Sequence, residues 1–351
     1  MRGRRFIWAL IAAAVLVAGC AIEPNLHVRR AIKVIVKVLW KAEVYPDGVK
    51  PTGVTMYLFR DGVFHQRQIT PNVDSCAVHL EPGKYKLYLI SQSPEEFGGM
   101  EFSNMNDFDS AKVSLLETKS RWYTKSTGEV LSANPEMMVA GVSDEFEISG
   151  EMIEKMLEDL KNDSANGEDE VVRYYTVRVP VNPKSIVSQY WVTIYSENAD
   201  ILKSVRATTT GMARSFYLTQ DKTGDDECVQ IITDWKLTID DPISRVGHLD
   251  GMVTTFGFPR GELPSPARDA ALNITTLLSD NSTTDSYVFM VGNGITLEKP
   301  PEGYRHLYRL VLGSVDAPVM HPPDVRPVDE RGDFSATLED WEEGEIKEVN
   351  M

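Results

Sequence analysis

The stretch IKVIVKVLWK, residues 32–41, decides how the chain is to be read. Ile32, Val34, Val36, Val38 and Trp40 fall on one side of a two-residue period, and Lys33, Lys37 and Lys41 fall on the other. A helix repeats every 3.6 residues and a strand every two, so this alternation predicts a strand with one face in a core and one in water. The valines and isoleucines that dominate it are stiff at χ1 and suit a pleated surface.

The same grammar continues outward. GVTMYLFR (53–60) is followed by the turn pair Asp61-Gly62, then by CAVHL (76–80), in which residues 76, 78 and 80 alternate inward. Pro82-Gly83 makes the next turn before KYKLYLIS (84–91). Residues 100–120 are polar and irregular and read as a long loop, whereas RWYTKSTGEV (121–130) and EMMVAGV (136–142) read as the closing strands of this unit. SGEMIEKMLEDLKN (149–162) is the clearest helix, capped by Ser149, with Met152, Ile153, Met156, Leu157 and Leu160 in a stripe. DSANGEDE (163–170) holds four acids and Gly167 and reads as a solvated linker.

Strand patterns restart beyond it in VVRYYTVRVPV (171–181), QYWVTIYS (189–196), CVQIITDWKLTI (228–239), GMVTTFGF (251–258), DAALNITTLL (269–278), SYVFMVGN (286–293) and YRHLYRLVLG (304–313). Turns at 223–226, 259–261 and 292–294 separate them. Many short strands between turn signals predict an all-β fold of two β-sandwich domains in series, with one short helix near the domain boundary. The expected division is a signal peptide at 1–19, a lipidated tether at 20–30, an N-terminal sandwich at 31–162, the linker at 163–170 and a C-terminal sandwich at 171–318. A Pro-rich acidic tail, 319–351, follows. Its FSATLEDWEEGEIKEV segment regains alternation through Phe334, Ala336 and Leu338 and could add a terminal strand.

The N-terminus obeys a different pattern. Arg2, Arg4 and Arg5 precede an apolar run from Phe6 to Val17, only twelve residues long. A membrane-spanning helix needs about twenty, so a basic flank, a short apolar core and a small-residue exit read as a secretory signal. Val17, Ala18 and Gly19 before Cys20 resemble the recognition sequence of a bacterial lipoprotein signal peptidase, with Cys20 as the lipid attachment residue. Acyl chains contribute about 0.8 kcal/mol per buried methylene, so several of them hold a protein on a membrane.

Composition narrows the function. Loss of residues 1–19 removes three arginines, leaving 33 basic and 52 acidic residues and a formal charge of −19. That balance disfavours nucleic acid, which demands a basic footprint. Cys76, within the alternating CAVHL, is read as a buried thiol, and a disulfide between it and Cys228 is the less favoured alternative in an exported chain. The histidines are scattered, with no metal-ligand spacing and no nucleophile elbow, phosphate loop or dinucleotide fingerprint. The chain is therefore expected to be non-enzymatic and to carry no metal or cofactor. Tyr190, Trp191, Tyr195 and Trp235 could stack on sugar rings, which gives an alternative reading as a glycan-binding surface lipoprotein. Aromatics more commonly fill sandwich cores and cross-strand pairs, and that use is preferred.

The order of lipobox, VKVLWK, GVTMYLFRDG, LEPGKYKLYLIS, acidic linker, ATTTGMARSFYL (207–218) and FSATLEDW (334–341) resembles the Bacteroidales fimbrillin-like outer-membrane lipoproteins, which include anchor and accessory subunits of type V fimbriae. The resemblance implies two transthyretin-like sandwiches in tandem. It implies partners in fimbrial or other surface subunits, engaged by strand exchange, with backbone hydrogen bonds completing a sheet. It also implies an anchor or accessory role on the outer membrane, without fixing whether the body faces outward or into the periplasm. Polymerising members are cut after an arginine. Arg30 is the candidate here, but cleavage would release only residues 20–30, ahead of the first strand, which favours a subunit that keeps its lipid. Asp109-Ser110-Ala111 and Asp163-Ser164-Ala165 look like the Asp-Ser/Thr-apolar sequon of Bacteroidetes O-glycosylation, which makes Ser110 and Ser164 candidate modification sites.

Overall fold

The alternating opening stretch is a strand, β1 (Ile32–Val38), and its burial alternates with its sequence. Ile32, Val34 and Val36 are fully enclosed, while Lys37 is exposed. Trp40 lies past the end of the strand, where its indole N–H donates to the Val73 carbonyl at 2.8 Å. The structure is a computed structural model and describes residues 32–41, 44–123, 128–165, 176–264, 270–325 and 346–349. The signal peptide, Cys20, Arg30 and the Phe334–Leu338 alternation lie outside the described residues.

After β1 come β2 (Val54–Arg60), β3 (Val63–Thr70), β4 (Ser75–Leu80) and β5 (Gly83–Ser91). Then follow β6 (Met100–Ser103), β7 (Lys112–Leu115), β8 (Leu131–Ser132), β9 (Val139–Val142) and β10 (Phe146–Ile148). The helix α1 (Gly150–Ala165) is the one α-helix among the described residues. Beyond it lie β11 (Thr176–Val181), β12 (Lys184–Ser185), β13 (Ser188–Ser196), β14 (Leu202–Ala213), β15 (Ser215–Tyr217) and β16 (Lys222–Thr223). The series ends with β17 (Glu227–Asp241), β18 (Val246–Thr255), β19 (Ala271–Leu278), β20 (Thr284–Met290), β21 (Ile295–Glu298), β22 (Leu307–Leu312) and β23 (Ile346–Val349).

Local chemistry explains the turns and caps. Arg60 pairs with Val63, so Asp61 and Gly62 form a two-residue hairpin turn, with φ of 51° and 80°. Left-handed conformations at both positions match the right-handed twist of the flanking strands, and Asp-Gly is a favoured pair for them. The Ser149 Oγ accepts the Met152 N–H at 3.2 Å, capping α1 as its sequence predicts. Ile153 and Met156 of the expected stripe are buried.

The chain divides into two compact units, each assembled from separated segments. The first comprises the described parts of Met1–Val36, Ala77–Lys84 and Phe146–Val179, and so holds most of β1, the last four residues of β4, β10 and α1. The second comprises Lys37–Cys76, Tyr85–Glu145 and the described parts of Pro180–Met351. Its largest sheet runs β21-β22-β13-β18-β17-β14-β19-β20-β23. A smaller sheet runs β12-β9-β5-β2-β3, and a four-stranded sheet runs β16-β15-β7-β6. One apolar core serves this unit, joining Tyr57, Phe59 and Tyr88 to Val113, Tyr190, Val192, Ile194 and Leu310. The expected all-β architecture of packed sheets with one helix is what the chain shows.

Two local readings are corrected. Residues 100–120 are not a loop throughout, because β6 and β7 form a hairpin there and β7 also pairs with β15, Phe216 opposite Val113. Val113 and Leu115 are fully buried, so two four-residue strands suffice to anchor a polar segment. RWYTKSTGEV supplies no strand among its described residues; β8 begins immediately after it and runs parallel to β17. VFHQRQIT, which shows no alternation of burial-prone residues, is nevertheless β3. Cys76 and Cys228 are both free and buried. Burial pushes their thiols up to about 11 and about 12.

Candidate functional site

Sheet edges come first, since strand addition needs one. β3 is the terminal strand of its sheet, joined to β2 from Val54–Thr70 to Arg60–Val63. It is eight residues long, has no buried residue, and leaves Val63 and Ile69 largely exposed, at 69% and 55%. Its middle is braced by Arg67, whose two terminal nitrogens donate to the Glu95 carboxylate at 2.8 and 2.6 Å and whose guanidinium stands 5.7 Å from the Tyr57 ring centroid. The Arg67 hydrogen bonds, more than any other cause, hold Glu95 down to about 2. At another edge, β23 pairs in parallel with β20, Ile346 opposite Ser286 and Val349 opposite Phe289. An edge of this fold therefore accommodates a four-residue extended segment far along the chain.

The aromatics proposed for sugar stacking are not brought together. Val192 pairs with Gly251, and paired residues of a ladder share a face. The Trp235 indole covers Gly251, where an added Cβ would stand 2.7 Å from the ring. Trp235 thus lies on the face of buried Val192, Tyr190 and Ile194. Trp191 and Tyr195 alternate to the opposite face. Tyr190 is fully buried and meets Phe258 edge-on at 6.2 Å. Trp191 is 40% exposed, its N–H bonded to Gln189 Oε1 at 3.0 Å.

On that outer face sequence reasoning missed a polar chain. His248 Nδ1 is 2.7 Å from Asp240, its Nε2 is 3.3 Å from Asp250, and Thr193 donates to Asp250 at 2.6 Å. The four carry no spacing signal, because the β17–β18 hairpin and the β13 pairing place them. They bridge three adjacent strands. No group of three His, Cys, Asp or Glu side chains able to hold a metal occurs among the described residues.

Of the expected modification sites, Ser110 is half-buried in the turn between β6 and β7. Its hydroxyl bonds Asp107, whose carboxyl is held below the usual range by that bond first. Ser164 falls within α1, and its side chain lies outside the described residues. No helix among the described residues is long and apolar enough to cross a membrane.

A cleft of about 340 Å³ lies elsewhere in the second unit, where Lys41, Lys184, Asp221, Tyr304, Arg305 and His306 converge. These residues span most of the chain length and share no motif, so nothing in the sequence groups them.

A family model described as a domain of unknown function, DUF5119, matches residues 25–234. No curated protein matches the chain. Among solved structures, a "putative adhesin" from Bacteroides ovatus is similar over 90% of this chain and 98% of its own, at 14% identity and a TM-score of 0.50. The fimbrial anchor protein Mfa2 from Porphyromonas gingivalis aligns over 80% of this chain and 90% of its own, at 11% identity and a TM-score of 0.43. The tip fimbrial protein Mfa3 from the same organism aligns over 80% and 94%, at 9% identity and a TM-score of 0.37. The family match and the fold shared with the Bacteroides ovatus protein bear out the resemblance read from the order of strands and turns.

Proposed function

The chain belongs to the DUF5119 family, and from its sheet edges and its order of strands and turns we propose that it is a non-enzymatic subunit of a fimbria-like surface structure. Cys20 carries the lipid that fixes it to the outer membrane, and it joins neighbouring subunits by β-strand addition. Cleavage before Cys20, after Val17-Ala18-Gly19, releases the signal peptide. Arg30 remains uncut, which keeps β1 and the lipid in one chain and suits an anchor or accessory subunit. Ser110 and Ser164 are glycan acceptors.

The observation that carries this reading is β3: a terminal, eight-residue strand with exposed Val63 and Ile69. Such an edge is a template for pairing with another chain. Backbone bonds to it supply affinity, and alternate side chains supply register. The fold shared with the Bacteroides ovatus protein, described as a "putative adhesin", is in keeping with a surface role.

Affinity purification of the tagged full chain from its host envelope tests the reading. A fimbrillin-type subunit should co-purify, and Cys20→Ala should move the chain out of the lipid fraction. Retention on polysaccharide with no protein partner would instead establish the glycan-binding alternative. That alternative draws on Trp191, the aromatic that presents an exposed face.

A further inference from the structure

The cleft beside β12 and β22 differs in charge from the rest of the molecule. The chain as a whole carries a formal charge of −16. Lys41, Lys184 and Arg305 nevertheless meet at this cleft with Asp221 as the one carboxylate among its described lining residues. Two positive charges are left in excess within a space of about 340 Å³, the small end of the range that ligand pockets occupy.

Arg305 is held in place. Its Nη2 donates to the Asp221 carbonyl at 2.7 Å, and its Nη1 bonds the Asp221 carboxylate. Its guanidinium carbon lies 5.0 Å from the centroid of Phe216, which is fully buried. A guanidinium fixed through both arms and one face presents its remaining N–H without further loss of side-chain entropy. Lys184 Nζ stands 3.8 Å from Asp221 with its side chain 74% exposed, and so has reach toward the cleft mouth. His306 is half-buried, and burial first, then the Arg305 charge, lowers its affinity for a proton, which keeps it neutral as a hydrogen-bonding wall. Gly303, at φ +87°, lets the 301–304 turn press against the backbone of Pro46, where any Cβ would collide. The backbone on that side of the cleft is therefore fixed as well.

We propose that this cleft binds a small oxyanion, a carboxylate or phosphate group carried on a polar body the size of one sugar. Lys41 and Lys184 supply the attraction, Arg305 the oriented donor, and Tyr304 and His306 the neutral polar contacts. The assignment is independent of the fimbrial reading, because it concerns a small ligand and a different surface from the β3 edge.

Calorimetric titration of the full chain with glucuronate, glucose 1-phosphate and glucose tests it. At least one of the two anions should bind, with affinity that falls as salt is raised, and glucose should bind far more weakly. The two anionic arms identify which oxyanion the cleft prefers. Lys41→Gln and Lys184→Gln, both at exposed positions, should each weaken binding by up to about fivefold. Arg305→Lys, which keeps the charge and loses the fork, should also weaken it. Failure of both anions to bind, glucose binding as well as they do, or parental affinity in the Lys41→Gln/Lys184→Gln double variant would each overturn the proposal.

Discussion

Trp235 lies against Gly251 so closely that a Cβ on residue 251 would stand 2.7 Å from the indole. The β17 register shifts between Thr233 and Lys236, and that bulge carries Trp235 across the neighbouring strand. Gly251→Ala should force the indole to move and destabilise the protein by about 1–3 kcal/mol. A fall in the urea midpoint at unchanged slope would show it.

Gly62 offers the opposite case. It sits at φ 80° with nothing within 4 Å of a would-be Cβ, so Gly62→Ala meets no steric obstacle. The cost is conformational alone, about 1 kcal/mol. The two alanine variants should therefore differ on relief of packing: Trp235→Leu should rescue Gly251→Ala and leave Gly62→Ala unchanged, as a double-mutant cycle would read out.

Glu95 supplies a pH dependence. Its folded-state value of about 2 lies below the ordinary 4.5, chiefly through the Arg67 hydrogen bonds. A depressed carboxylate contributes stability that is present above its unfolded value and is lost as pH falls through its folded value. The Glu95 side chain is 64% exposed, so solvent screening limits the effect to about 0.5 kcal/mol. Glu95→Gln should be less stable than the parent by that amount at neutral pH. The difference should vanish as pH falls from about 4.5 to about 2, followed by denaturant unfolding across that range.

Cys76 and Cys228 should be inert in the folded protein. Burial raises both thiols, to about 11 and about 12, and leaves little thiolate at neutral pH. In a Cys20→Ala chain, a thiol reagent should label neither residue until denaturant is added, and then label both.

Much of the strand framework is legible in the residues themselves, because half-buried strands write their burial into their sequence. Ile32–Val38 and Cys76–Leu80 are such cases, and the buried set in each is the alternate set. β3 escaped because neither of its faces is buried, so selection for apolar residues at every second position is absent. β6 and β7 escaped because each is four residues long and β7 gains its second neighbour, β15, about a hundred residues away. The cleft was illegible for the same reason of distance: Lys41, Lys184 and Arg305 meet only through the tertiary fold. The aromatic cluster misled in the other direction. Trp191 and Trp235 read alike in sequence, and only the pairing of Val192 with Gly251 assigns them to opposite faces.

The most direct test of strand addition is amide hydrogen exchange on the full chain, alone and in complex with the fimbrillin-type subunit that it captures. Strand addition at β3 predicts new protection at alternate amides within 63–70, with the outer face around Trp191 unchanged. Protection confined to that face, or no change along 63–70 in a saturated complex, would contradict it.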